Sequence, residues 1–239
     1  MNFEMHLAGI TRVRNEQEII KDTLDHYSFC DALYVYDDCS TDNTVNICNN
    51  HTKVKSVVMG ASWDLNRPRA EAQTRQRILE EAQKDKPEWI ICFDADERID
   101  WDFKDYENYD GIIMKLFDFY ITKEDKDCTY SDRQWLGPEY RNILMMYRNT
   151  PHVKFCMMDQ REALLRRGAK LLQAGYVKHY GKAISIDEWE RTCDYYSTYF
   201  GGRYKTKWLN RKGKAIHNQS DFGRPLIKWD EKELKGVRM

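Results

Sequence analysis

No run in the 239-residue chain approaches the ~18 consecutive apolar residues of a membrane-spanning helix. The opening MNFEMHLAG also has neither the basic start nor the apolar centre of a secretion signal. A cytoplasmic protein is expected, at most peripheral to a membrane. The seven cysteines include no C-x-x-C pair, and their odd number and mostly apolar or helical settings suit reduced, buried thiols better than a disulfide framework. There is no internal repeat and no low-complexity tract, and no recognised nucleic-acid motif accompanies the basic residues, so an RNA or DNA partner is not expected.

The net charge of −1 conceals an asymmetry. Residues 201–239 hold eleven Lys and Arg against four acids, which leaves −8 on residues 1–200. This basic end reads as an appendage, either a solvated terminus or a contact for an anionic acceptor or a membrane surface carrying a lipid-linked glycan. Ahead of it, apolar runs alternate with amphipathic ones, the pattern of a mainly parallel α/β sheet flanked by helices. HLAGITRV, ALYVYD, VKSVVM and EWIICF read as strands. Helices are expected from Glu16 to Cys30, from the CSTDNT turn to Asn50, and from an Asn66 cap with Pro68 in the first turn to Lys84.

Beyond residue 100 the order changes to a smaller antiparallel part. GIIMKLFDFYIT and NILMMYR are its strand candidates, joined by a long polar loop, KEDKDCTYSDRQWLGPEY. SIDE at Ser185–Glu188 has capping-box spacing before the helix WERTCDYYSTYF. The final basic segment shows little periodicity except for a short helix near DEKELK. The expected organisation is one domain over 1–200, in halves 1–100 and 101–200, followed by the appendage 201–239.

Strand carboxyl ends are where open α/β sheets bind ligands. TRVRNE, DDCSTDNT and DADE all fall there, and two of them are acidic. Carboxylates accept well from the N–H and O–H groups of a base and ribose. They repel a diphosphate unless a divalent cation lies between.

In order and spacing, TRVRNEQEII, VYDDCSTDNT and WIICFDADERI resemble the three signatures of the family 2 glycosyltransferases of GT-A fold, over roughly residues 7–100. YVKHYGKAISIDEWERTCDYY is similar to the family's C-terminal part, where a His returns to the metal and diphosphate. The likeness thins over 101–170 and after 200. It implies a GT-A-like, Rossmann-type sheet with an acceptor-side part. It also implies an inverting transfer of sugar from a nucleoside diphosphate sugar, with UDP favoured, to a hydroxyl of a glycan or glycolipid, as in polysaccharide biosynthesis.

Carried over position by position, Asp94 and Asp96 match the D-x-D pair, Asp96 as direct metal ligand and Asp94 contacting ribose or metal. His179 matches the later His. Imidazole favours Mn²⁺ over Mg²⁺. Asp37 or Asp38 matches the base-contacting acid, Thr11 and Glu16 flank that pocket, and Arg75 is placed to neutralise phosphate. Cys39 stands where the family turn carries Gly.

A carboxylate on the acceptor side must take the proton of the attacking hydroxyl. Asp159 and Glu162 are the candidates, with Glu139 a weaker third, and no motif secures any of the three. Trp63, Trp135 and Tyr140 could stack on sugar faces or simply pack in the core. The rival readings are a binding module without turnover and a D-x-D phosphohydrolase of the haloacid dehalogenase kind. The latter expects Thr or Val where Arg98 stands. A sugar nucleotidyltransferase would need the Gly-rich loop that TRVRNE lacks.

Overall fold

The computed structural model of the protein describes residues 6–63, 67–156 and 161–230, except the side chains of 67–69. Its contacts divide the chain into two units. The first holds the chain up to Ala95 with Trp101–Met114 and Ile143–Gly175; the second holds Asp96–Asp100, Lys115–Asn142 and the chain from Tyr176 on. The units therefore interleave instead of dividing once near residue 100. Their boundary in the chain falls inside DADE.

In the first unit, β1 (Leu7–Val13), β2 (Ala32–Asp37), β3 (Val54–Met59) and β4 (Trp89–Asp94) are parallel, in the order β3-β2-β1-β4. The apolar runs of β1, β2 and β4 are buried almost throughout, as expected of strands covered on both faces. Helices α1 (Ile20–His26), α2 (Thr44–Asn49) and α3 (Arg67–Gln83) make the crossovers. Ile78, Leu79 and Ala82 of α3 pack with Ile10, Tyr34 and Ile90, and Tyr27 stacks on Phe93 at 3.6 Å.

Helix α1 is shorter than the expected Glu16–Cys30. The backbone N–H of Glu16 donates to Thr44 Oγ1 at 2.8 Å and that of Gln17 to Asp42 Oδ2 at 3.2 Å. The start of the segment is thus spent on the loop after β2. The expected Asn66 cap and, beyond Asp230, the DEKELK helix lie outside the described residues.

The second unit draws on β5 (Glu97–Asp100), β6 (Gly111–Phe119), β7 (Trp135–Arg148), β8 (Leu171–His179) and β9 (Ile227–Lys228). The order is β7-β6-β8-β5, with β9 on β7. β6, β7 and β8 also contribute residues to the first unit, where β7 pairs antiparallel with β4.

The expected long loop ends sooner than the sequence suggests, because Trp135–Tyr140 belong to β7. Leu136 pairs with Ile227, a partner that local pattern cannot reveal. Ser185 caps α4 (Ile186–Tyr199) by accepting from Glu188 N at 3.0 Å, as the capping box predicts.

The described part of the basic end is no appendage. Helix α5 (Gly202–Leu209) buries Trp208 against Trp189, Cys193 and Ala215, while Ile216, Ile227 and Trp229 pack on the Phe117–Phe119 cluster. Periodicity missed this segment because its apolar residues are spread along an irregular path. All seven cysteines are free thiols, and among the described residues no helix is long and apolar enough to cross a membrane.

Candidate functional site

The carboxyl ends of β1, β2 and β4 carry a network of alternating charges in the first unit. Arg12 Nη1 donates to Asp38 Oδ2 at 3.0 Å and Nη2 to Glu71 Oε1 at 3.3 Å. Arg75 Nη2 donates to the same Glu71 oxygen at 3.3 Å and to Asp94 Oδ1 at 2.8 Å. Arg161 Nε donates to Asp94 Oδ2 at 3.2 Å. Burial alone would raise the Asp94 pKa, but the guanidiniums of Arg75 and Arg161 hold it well below the usual carboxylate range.

Arg75 was expected to face phosphate. With only 2% of its side chain exposed, it instead anchors Asp94 from within the core. A buried guanidinium needs anionic partners, and Glu71 and Asp94 supply them.

The turn after β2 is tight. Cys39 adopts φ +62, the left-handed conformation that favours glycine, and Gly60 N donates to Asp37 O at 2.8 Å. Asp37 is buried, and its Oδ2 accepts from Ser40 N at 3.0 Å. Its Oδ1 finds no hydrogen-bond partner among the described residues, nor does Oγ1 of buried Thr11 on β1. Buried oxygens left in that state are costly unless a donor arrives from elsewhere. An open cleft of ≈ 490 Å³ includes Tyr36, Asp38, Ser62, Arg77 and Phe155 in its lining, a size suited to a small organic ligand. Glu16 is half-buried in the loop after β1.

A different cluster lies in the second unit. His179 ends β8 opposite Glu97 of β5, and Tyr180 N donates to Asp96 O at 2.8 Å, which fixes the chain around both acids. His179 Nε2 lies 3.2 Å from Asp96 Oδ2, and Nδ1 lies 2.5 Å from Asp118 Oδ1. Lys182 Nζ joins Asp118 Oδ2 at 2.7 Å and Asp221 Oδ2 at 3.0 Å, and Arg211 Nη2 meets Asp221 Oδ1 at 2.6 Å. Burial opposes charge on His179, yet Asp96 and Asp118 outweigh it and raise its pKa to about 10. A Cβ on Gly181 would strike the Asp96 carboxylate and stand 3.1 Å from His179 Nε2, so glycine keeps that space open.

Among the described residues, no group of three or more His, Cys, Asp and Glu side chains is placed to hold a metal. Asp96 and His179 offer a carboxylate oxygen and an imidazole nitrogen. Such a partial set fits an ion that takes its remaining ligands from substrate phosphates and water. The carboxylate on the far ring nitrogen is the usual support for a metal-ligating His. Asp94 does not fit as a ligand, because guanidiniums engage both of its oxygens.

Of the remaining predicted residues, Asp159 lies outside the described residues and Glu162 is half-buried in the first unit. Glu139 in the second unit accepts from Ser220 Oγ at 2.9 Å. The aromatic candidates already carry cations: Arg14 sits 3.0 Å over Trp63, Lys228 5.3 Å over Trp135 and Lys115 4.7 Å over Tyr140. Sequence reasoning missed Arg12, Glu71, Arg161, Asp118, Lys182, Arg211 and Asp221. The one local signal was Asp118, a lone acid in the apolar strand GIIMKLFDF.

No model of a known protein family matches the chain. Uncharacterized proteins of Mycobacterium tuberculosis and Mycobacterium bovis are each 30% identical to it over 147 residues, covering 59% of this chain. The chain spans only about a third of the length of these curated relatives, 33% of each. Among solved structures, glucosyl-3-phosphoglycerate synthase from M. tuberculosis, in complex with phosphoglyceric acid, overlaps 48% of this chain and 44% of its own at 18% identity, TM-score 0.34. A protein from Desulfovibrio desulfuricans G20, assigned as a nucleotide-diphospho-sugar transferase, overlaps 86% of this chain and 94% of its own at 10% identity, TM-score 0.40. Overlaps this loose carry no argument, and the α/β architecture rests on the strands and crossovers described above.

Proposed function

We propose that the protein is an inverting, metal-dependent glycosyltransferase that moves a sugar from a nucleoside diphosphate sugar, preferentially a UDP sugar, to a hydroxyl of a glycan or glycolipid. One observation carries the reading. The resemblance to family 2 glycosyltransferases picks Asp96 and His179 from distant parts of the sequence as metal ligands, and their side chains meet at 3.2 Å.

Asp96 and His179 would hold Mn²⁺, with Mg²⁺ second. When bound, the ion supplies positive charge that offsets the charge developing on the departing diphosphate. Thr11 on β1 and Asp37 at the end of β2 would accept from the N–H and O–H groups of base and ribose. Arg12 fixes Asp38, which lines the cleft. Asp94 would contact ribose beside the guanidiniums of Arg75 and Arg161 that hold it. The acceptor's proton goes to Asp159 or Glu162.

Calorimetric titration of UDP with and without Mn²⁺, beside a release assay on a panel of sugar nucleotides, tests this reading. Asp96→Ala should abolish transfer and remove only the Mn²⁺-linked part of donor affinity. Equal weakening in the presence of a chelator would defeat the metal assignment. Tight binding with no nucleotide released to any acceptor would favour a module without turnover.

A further inference from the structure

We propose that Asp118, Lys182, Asp221 and Arg211 form a positioning relay that holds the ring of His179 for a metal ion, so that the segment after α5 is a working part of this site. The inference rests on the preceding reading of His179 as a ligand. It adds that the ligand's geometry is set by residues up to Asp221, in the stretch whose sequence looked like a solvated end.

An imidazole at the end of a strand can rotate about its χ2 bond, and a ligand that rotates binds its ion weakly. His179 is held at Nδ1 by Asp118 Oδ1 at 2.5 Å, which leaves Nε2 facing Asp96 and the space kept open by Gly181. Asp118 could itself swing, since its side chain ends a short arm on β6. Its other oxygen is taken by Lys182 at 2.7 Å. Lys182 in turn spans to Asp221 at 3.0 Å, and the second oxygen of Asp221 takes Arg211 at 2.6 Å. Asp221 N donates to Tyr120 Oη at 3.1 Å.

The relay side chains are only 12–23% exposed, so water screens the pairs weakly. Arg141 also approaches Asp118, at 3.6 Å, but its side chain is 64% exposed and constrains little. The ring of His217 lies 5.0 Å from Tyr120 and 4.7 Å from Trp189, wedging the segment between Arg211 and Asp221 in place.

Charge pairing that merely held the fold would affect overall stability and leave metal affinity alone. The decisive measurement is therefore Mn²⁺ affinity at saturating UDP, followed by the spin resonance of free Mn²⁺, beside UDP affinity in chelator and the melting temperature. In the full chain, Asp118→Asn should weaken Mn²⁺ by about 10–100-fold, the usual range for a lost partner of a ligating His. Lys182→Met and Asp221→Asn should give smaller losses in the same direction, and Asp118→Glu should recover part of the affinity. UDP affinity in chelator should not move.

Asp194→Asn serves as the control: it removes an exposed ion pair with Lys212 elsewhere in the unit and should change nothing. If Asp118→Asn does not fold, Asp221→Asn decides alone. Unchanged Mn²⁺ affinity in folded relay variants, with wild-type binding intact, overturns the relay only. Absence of Mn²⁺ binding by the wild type with any nucleoside diphosphate overturns the metal reading and the relay together.

Discussion

Replacing Arg75 by Met removes a guanidinium that is 2% exposed and leaves Asp94 Oδ1 without its 2.8 Å donor. Breaking one side of a buried ion pair costs ~3–5 kcal/mol. Asp94 remains 30% exposed and keeps Arg161, so water and a second cation offset part of the loss. The expected cost is thus about 3 kcal/mol, at the lower end of that range. For a chain of this length it corresponds to a fall of roughly 6–12 °C in melting temperature. Asp94→Asn should cost a similar amount by leaving Arg75 with Glu71, at 3.3 Å, as its remaining carboxylate partner. The double variant should then fall short of the sum by about 2 kcal/mol, because the pair is one interaction.

Urea unfolding at pH 7 and at pH 2 measures all three variants. The folded-state pKa of Asp94 is depressed, so its contribution is present above the unfolded value near ~3.9 and is lost as pH falls through the folded value. Arg75→Met should therefore approach the wild type in acid. A loss below about 1 kcal/mol at pH 7, the usual value of an exposed pair, or strict additivity in the double variant, would refute a buried, coupled network.

Three further outcomes are expected. Gly181→Ala should keep the fold, with melting barely altered, yet lower Mn²⁺-linked UDP affinity at least ~10-fold by displacing the Asp96 carboxylate, whereas unaltered affinity would mean the space is not used. Cys39→Gly should relieve about 1–2 kcal/mol of left-handed strain against about 0.5–1 kcal/mol of added chain entropy, a small net gain in urea midpoint; a clear loss would show that the thiol contributes packing. The raised His179 pKa makes its ion-pair contribution complete below the unfolded value near ~6.5 and lost as pH rises through about 10. A urea series across that window should thus show wild type and His179→Gln converging at the alkaline end, and a constant gap would contradict charge on the ring.

The sequence by itself determined the β-α alternation, the capped helix α4 and the D-x-D at the end of β4, because each is written in short-range periodicity or in neighbouring residues. That Cys39 stands where a glycine is usual came from the family resemblance, and its φ of +62 is the conformation that favours glycine. Tertiary structure alone decided what those residues touch. Arg75 reads on its helix as one of several surface arginines, and only the packing of α3 against β1 and β2 shows that it is buried beneath Asp94. Trp135 reads as loop until Ile227 and Lys228 arrive to pair with its strand. The basic end reads as solvated because its six cations between Arg203 and Lys214 stand without an intervening acid. The acid that answers Arg211 and Lys182 comes later in the chain, at Asp221, and charge pairs of this kind are made by proximity in space, which no pattern along a sequence records.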